Sequence, residues 1–176
     1  MNLEVEIKAK ILDIDFFTTR LNSLKPKFIS NENHIDIYFN HPEKNFTETD
    51  EALRIRSING SFFITYKGPK LSSRSKTRNE IETEISSALE CKEIFNALNF
   101  VEIATIEKNR KTYKLNDITI CTDTIKDLGT FVELEKIAED INQTEDDLFS
   151  LGTSLGIKDY IQNSYLELIQ KNEKKC

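Results

Sequence analysis

The sequence predicts an α+β fold built on an antiparallel sheet of about seven or eight strands, enough to close into a barrel. Three observations carry this. Apolar and polar residues alternate with period two in one segment after another. Asn59-Gly60 stands between two such segments, and both positions of a type I′ hairpin turn need positive φ. Between the strands, a few stretches carry apolar residues at helical spacing instead.

The elements follow in order. MNLEVEIKAKI puts Leu3, Val5, Ile7, Ala9 and Ile11 on one strand face and Glu4, Glu6, Lys8 and Lys10 on the other. Ile14, Phe17, Leu21, Leu24 and Phe28 then recur at three- and four-residue spacing. Asp13 is placed to cap that helix and Pro26 to end it. HIDIYF (34–39) is a strand, and LRIRSI (53–58) pairs with SFFITYK (61–67) across the Asn-Gly turn. KLSSRSKT (70–77) has no apolar period and reads as a mobile basic loop. RNEIETEI (78–85) alternates again. Ser87 and Glu90 then form a capping-box pattern that opens a helix with Cys91, Phe95 and Leu98 on one face. Residues 106–115, 118–125 and 131–137 are three further strands. A helix opened near Thr144 and closed by Gly156 follows, and 159–170 is expected to be helical. The chain is expected to be one domain over 1–170, with 171–176 a disordered tail.

A length of 176 residues allows a sizeable core, and 38% hydrophobic with 31% charged residues indicates a soluble globular protein. No window approaches the roughly 20 apolar residues of a membrane span, and the start lacks the pattern of a secretory leader. Cys91, Cys121 and Cys176 are far apart and odd in number, so free thiols in a cytoplasmic setting are expected. A net charge of −6 disfavours long nucleic acids but not a small anion gathered in a basic cleft. There is no P-loop or dinucleotide motif, and His34 and His41 lack zinc spacing.

The polar strand faces carry like charges in pairs: Glu4 and Glu6 before Lys8; Arg54 and Arg56; Arg78, then Glu80, Glu82 and Glu84; Lys108 and Arg110; Glu133 and Glu135. Lys67 ends a hairpin strand, and Asp123 lies between the last two pairs. Residues two apart on one face lie roughly 7 Å apart. Like charges there repel by about 0.6 kcal/mol in water and about 2.4 kcal/mol at an effective dielectric of 20. One pair is tolerable on an outer surface, whereas several facing a shared interior call for a counter-ion or ligand. Carboxylate pairs suit Mg²⁺ or Mn²⁺, and Arg and Lys pairs suit phosphate oxygens. Spacing alone leaves open both a metal-bound polyphosphate and an ordinary solvated face.

The blocks Glu4-Val-Glu6-Ile-Lys8, HIDIYF, LRIR, ITYKGP, RNEIETEI, EKNRKTY, TDTIKDLGTFVELE and SYLELI stand in an order that resembles a CYTH-domain protein. This is the triphosphate tunnel metalloenzyme superfamily, which includes class IV adenylyl cyclases and thiamine triphosphatases, and the resemblance spans nearly the whole chain. It implies a closed antiparallel eight-stranded β-barrel, the triphosphate tunnel, with helices packed outside. It also implies Mg²⁺ or Mn²⁺ on Glu4, Glu6, Glu133 and Glu135 with one or more of Glu80, Glu82 and Glu84. Triphosphate contacts are implied from Lys8, Arg54, Arg56, Lys67, Arg78, Lys108 and Arg110, and catalytic roles for Lys8 and Asp123. The KGP block, HIDIYF and the short length are more similar to the prokaryotic cyclase-like branch than to animal thiamine enzymes. The expected reaction is therefore ATP to cyclic AMP and pyrophosphate. Hydrolysis of tripolyphosphate, thiamine triphosphate or a nucleoside triphosphate is the alternative, and a non-catalytic binding module a lesser one. A homodimer is implied by the resemblance alone.

Overall fold

Eight strands close into a barrel in the computed structural model, which describes residues 3–138 and 140–173. The strands are β1 (Leu3–Lys10), β2 (Lys27–Asn40), β3 (Ala52–Ile58), β4 (Ser61–Lys67), β5 (Arg78–Ile85), β6 (Val101–Leu115), β7 (Ile118–Ile125) and β8 (Gly129–Ala138). Around the barrel they run β1-β5-β4-β3-β2-β6-β7-β8, with every neighbouring pair antiparallel. The helices are α1 (Ile14–Ser23), α2 (Ala88–Ala97), α3 (Ile141–Ser154) and α4 (Tyr165–Glu173). The α+β barrel expected from the sequence is the fold.

The apolar strand faces meet helices outside the barrel. Val5, Ile7 and Ala9 of β1 pack with Ile120, Val132 and Leu134 under α1 (Phe17, Leu21) and α3 (Leu148), and Leu155 beyond α3 joins them. On the far side Phe39, Leu53 and Ile55 pack on Phe95 of α2, with Phe39 and Phe95 edge to face at 5.0 Å. Burying these alternate residues fixes the register, because a one-residue slip would drive every charge of the opposite face into the helices.

One seam is short. β1 pairs with β5 only at Leu3–Asn79 and Glu4–Arg78, whereas it pairs with β8 along its whole length. Past Glu4 the exposed carbonyls of β1 are taken by loop backbone: Lys76 N–H donates to Glu6 O (2.8 Å) and Ile161 N–H to Lys8 O (2.7 Å). Through this seam the 70–77 loop and the 157–164 segment reach the interior.

Several boundaries differ from expectation. β2 begins seven residues before HIDIYF, because Lys27–Asn33 pairs with β6 alone in a two-stranded ribbon with both faces largely exposed, which leaves no alternation to read. α3 starts at Ile141 on an Asp140 cap rather than near Thr144. α4 starts at Tyr165, not Asp159, where Ser164 and Glu167 cap each other: Ser164 N–H donates to the Glu167 carboxylate (2.6 Å) and Glu167 N–H to Ser164 Oγ (3.2 Å). It continues through 171–173, three of the residues read as a tail; 174–176, with Cys176, lie outside the described residues. Cys91 and Cys121 are free thiols. Among the described residues no helix is long and apolar enough to cross a membrane.

Candidate active site

Because the apolar faces pack outward, the charged faces turn into the barrel. A cavity of about 270 Å³ is lined there by Glu4, Glu6, Lys8, Arg54, Arg56, Lys67, Lys76, Arg78, Glu80, Glu82, Lys108, Arg110, Glu133 and Glu135. Of the metal, triphosphate and catalytic candidates singled out from the sequence, all but two line it: Asp123 is buried behind the wall, and Glu84 lies exposed on β5. Tyr38, Phe46 and, from α4, Tyr165 and Leu166 complete the wall.

The acidic side is built on β1 and β8, whose register sets Glu6 opposite Glu135 and Lys8 opposite Glu133. Glu6, Glu133 and Glu135 each offer an oxygen, all within 4.8 Å of one another. Burial pushes the Glu4 carboxyl up to about 8, aided by Glu135, Glu80 and Glu6 against the pull of Lys67. Glu135 is likewise raised by burial, with Glu133 and Glu6 adding to it against Arg110. An all-oxygen set of three fits a hard divalent cation that keeps water or substrate in its remaining positions. Glu80 and Glu82 stand apart from the three: Glu80 pairs with Lys67 (2.5 Å), and Glu82 accepts from Thr65 Oγ1 (2.7 Å) at the rim.

The basic side is held by carboxylates behind it. Asp123, fully buried on β7, accepts from Lys108 Nζ (2.9 Å) and from Arg110 Nε (2.7 Å) and Nη2 (2.6 Å). Burial alone would raise its pKa, but these two cations bring it below the ordinary aspartate value. Asp123 therefore aims the bases and does not face open space. Asp36 does the same on β2, binding Arg56 Nε (2.6 Å) and Nη2 (2.7 Å), with Arg54 at 3.5 Å. Arg78 is committed to the loop carbonyls of Asp50 and Gly68 and to the Asp50 carboxylate.

Between the two sides stands Lys8. Its Nζ is buried without a hydrogen-bond partner, 3.6 Å from Glu133 and 3.8 Å from the centre of the Tyr165 ring. Burial, with the neighbouring Lys76 ammonium, lowers it to about 7. Glu133 goes the other way: burial would raise it, and Arg110, Lys8 and Lys108 outweigh that to hold it well below the glutamate range.

Asp36, Lys76 and Tyr165 are among the residues that escaped the sequence reading, and His34, weighed there only as a zinc ligand, lies buried beside the bases. Asp36 and His34 share the inward face of HIDIYF, so alternation carried their signal. Lys76 and Tyr165 arrive from a loop and a helix end, where no periodicity marks an inward side chain. The loop read as mobile and basic is packed at its C-terminal end: Ser75, Lys76 and Thr77 are buried. Its physical anchor is Glu145 of α3, which accepts from Ser72 Oγ (2.5 Å) and Ser75 Oγ (2.7 Å) and has Arg74 at 3.2 Å.

Comparison with known proteins agrees with this architecture. The chain is 44% identical over 171 residues to a Methanocaldococcus jannaschii protein named "putative adenylate cyclase", covering 94% of this chain and 98% of that one. It is 28% identical to adenylate cyclase CyaB of Aeromonas hydrophila, covering 88% and 81%. The solved structure of the PH1819 protein of Pyrococcus horikoshii OT3 superposes with a TM-score of 0.89 at 36% identity, covering 96% of this chain and 99% of that one. The family model described as the CYTH domain matches residues 2–165, and the chain belongs to that family.

Proposed function

We propose that this protein is a divalent-metal-dependent enzyme that converts ATP to cyclic AMP and pyrophosphate in the barrel, in the manner of a class IV adenylyl cyclase. One observation carries the reading. A three-carboxylate cluster and a cluster of carboxylate-aimed arginines and lysines line a single cavity and meet where Arg110 reaches Glu133 and Glu135. The names of two relatives support the nucleotide reaction.

Mg²⁺ or Mn²⁺ on Glu6, Glu133 and Glu135, with Glu4 nearby, would supply charge neutralisation to the triphosphate oxygens. Arg54, Arg56, Lys108 and Arg110 hold those oxygens by charge-assisted hydrogen bonds, with Lys67 on the β4 side; Arg78, bound to Asp50 and Gly68, braces the wall. Asp36 and Asp123 keep the guanidinium planes fixed, so little rotamer freedom is lost on binding. Tyr38, Phe46 and Leu166 offer an apolar surface for a purine ring. The base is Lys8, whose lowered pKa lets the neutral amine take the proton of the ribose 3′-hydroxyl as that oxygen attacks the α-phosphorus. A cytoplasmic setting, where ATP is abundant, belongs to the same proposal.

Hydrolysis differs in the nucleophile and in its target: a water attacks the terminal phosphorus, and the diphosphate leaves as orthophosphate forms. A fold neighbour from Hippeastrum, 17% identical with a TM-score of 0.73, is described as having a dominant triphosphatase activity, so the architecture is compatible with hydrolysis. Purified protein with Mg²⁺ or Mn²⁺ is to be given ATP, thiamine triphosphate or tripolyphosphate. Cyclic AMP and pyrophosphate from ATP are the expected products. Orthophosphate alone would assign the protein to the triphosphatases, and saturable binding without product would make it a binding module.

A further inference from the structure

The lysine that enters through the β1–β5 seam has no part in the scheme above. Lys76 Nζ lies 2.7 Å from Glu6 Oε1, with both side chains buried. Glu6 belongs to the three-carboxylate cluster, so this ammonium holds one of the carboxylates that a divalent cation on that cluster would use. Resting on that assignment of the cluster, we infer that Lys76 is a tethered counter-ion: it occupies the cation's place in the metal-free protein and is exchanged for the metal on loading.

The tether is visible at two points. The Lys76 backbone N–H donates to Glu6 O (2.8 Å), which holds the residue on β1 whatever its side chain does. Outside the barrel Glu145, 1% exposed on α3, gathers Ser72, Ser75 and Arg74, and Ser75 Oγ lies 2.6 Å from Thr77 Oγ1. The carboxylate that fixes the loop therefore has no contact with the cavity. Between the fixed backbone and the ammonium lies a flexible four-carbon stem, so the charge can withdraw while the loop stays docked. An ammonium and a divalent cation at contact distance on one carboxylate oxygen repel strongly, because a buried site screens them less than water does. Loading the metal thus drives the ammonium from Glu6.

The test is calorimetric titration of the intact protein with Mn²⁺ alone, without triphosphate, comparing the natural chain with Lys76→Met and Glu145→Gln. With the competing ammonium removed, Mn²⁺ affinity rises by about tenfold or more in Lys76→Met, since apparent affinity scales with the fraction of competent sites. The metal-free variant melts lower than the natural chain, and Mn²⁺ restores it. General structural damage would weaken metal binding, so a gain is diagnostic. Glu145→Gln keeps the ammonium but loosens its tether, so its Mn²⁺ affinity falls between the other two and trypsin cleaves it faster after Arg74. It decides the matter should Lys76→Met fail to fold. Equal or weaker Mn²⁺ binding by both variants, with the natural chain binding Mn²⁺, overturns the exchange and leaves the cation site standing. No Mn²⁺ binding by any of the three overturns the cation site and the exchange with it.

Discussion

Glu4 and Lys8 lie on the same inward face two rungs apart, yet the barrel disfavours the charge of both. Glu4 is pushed up to about 8 by burial among other carboxylates, and Lys8 down to about 7 by burial beside Lys76. For Glu4 the folded pKa lies above the unfolded value, so the folded state keeps a proton that the unfolded chain loses. Its contribution to stability is full below about 4.5 and is lost as pH rises to about 8. Lys8 acts above about 7 and His34, held near 3 by burial and by Arg56, Lys108 and Arg110, acts below its unfolded value, so a difference between variants isolates Glu4. In chelator, Glu4→Gln gains stability relative to the natural chain as pH climbs from about 5 to about 8, and no further above that. Urea unfolding midpoints across this range check it; a pH-independent difference would contradict the burial of that carboxyl. Both residues were legible because alternation assigns every second side chain to one face. The partners that set their charge states were less so: Lys76 is a loop residue, and nothing in KLSSRSKT distinguishes the lysine that turns inward from the arginine at 74 that turns outward.

At the level of elements, the outer helices hold the charged rungs in place. β1 can keep Glu4, Glu6 and Lys8 inward only while Val5, Ile7 and Ala9 are covered, and α3 supplies much of that cover through fully buried Leu148. Leu148→Ala is expected to cost about 2–5 kcal/mol of folding stability. Mn²⁺ binding measured well below the melting temperature should survive, since Leu148 packs on the outward faces of β1 and β8 and does not line the cavity. A small stability loss in denaturant titration would show that α3 is peripheral. The hairpin over Asn59-Gly60 formed as read, with φ of 48° and 90° at the two turn positions. The stop at Gly156 also held: φ is +81°, and a Cβ there would strike Phe16 of α1. Where elements were misplaced, the physical cause was a loss of contrast. The Lys27–Asn33 ribbon shows both faces to solvent, and the Ser164–Glu167 cap is masked by Tyr160 and Ile161, apolar residues that continue an apparent helical spacing into an extended stretch.

For the molecule as a whole, the repulsion between like-charged neighbours is met in two ways. Part of it is cancelled within the wall, where closure brings acidic strands against basic ones: Lys8 faces Glu133 across β1–β8, Lys67 faces Glu80 across β4–β5, and Arg110 faces Asp123 across β6–β7. This mutual pairing is a property of the closed barrel and is absent from any single strand, so the sequence overstated the need for a ligand. The rest is not cancelled. Glu4 and Glu135 remain with raised pKa values beside Glu6 and Glu133, and Lys8 remains without a hydrogen-bond partner. That imbalance is the central claim: under the proposed function it is where a divalent cation would enter and where phosphate oxygens would meet it. Crystals grown with Mn²⁺ and a non-hydrolysable ATP analogue, measured at the manganese absorption edge, test it most directly. The account predicts an anomalous peak bonded to Glu6, Glu133 and Glu135, with phosphate oxygens between it and Arg54, Arg56, Lys108 and Arg110. A peak confined to the outer surface, or phosphate bound outside the barrel, would contradict it.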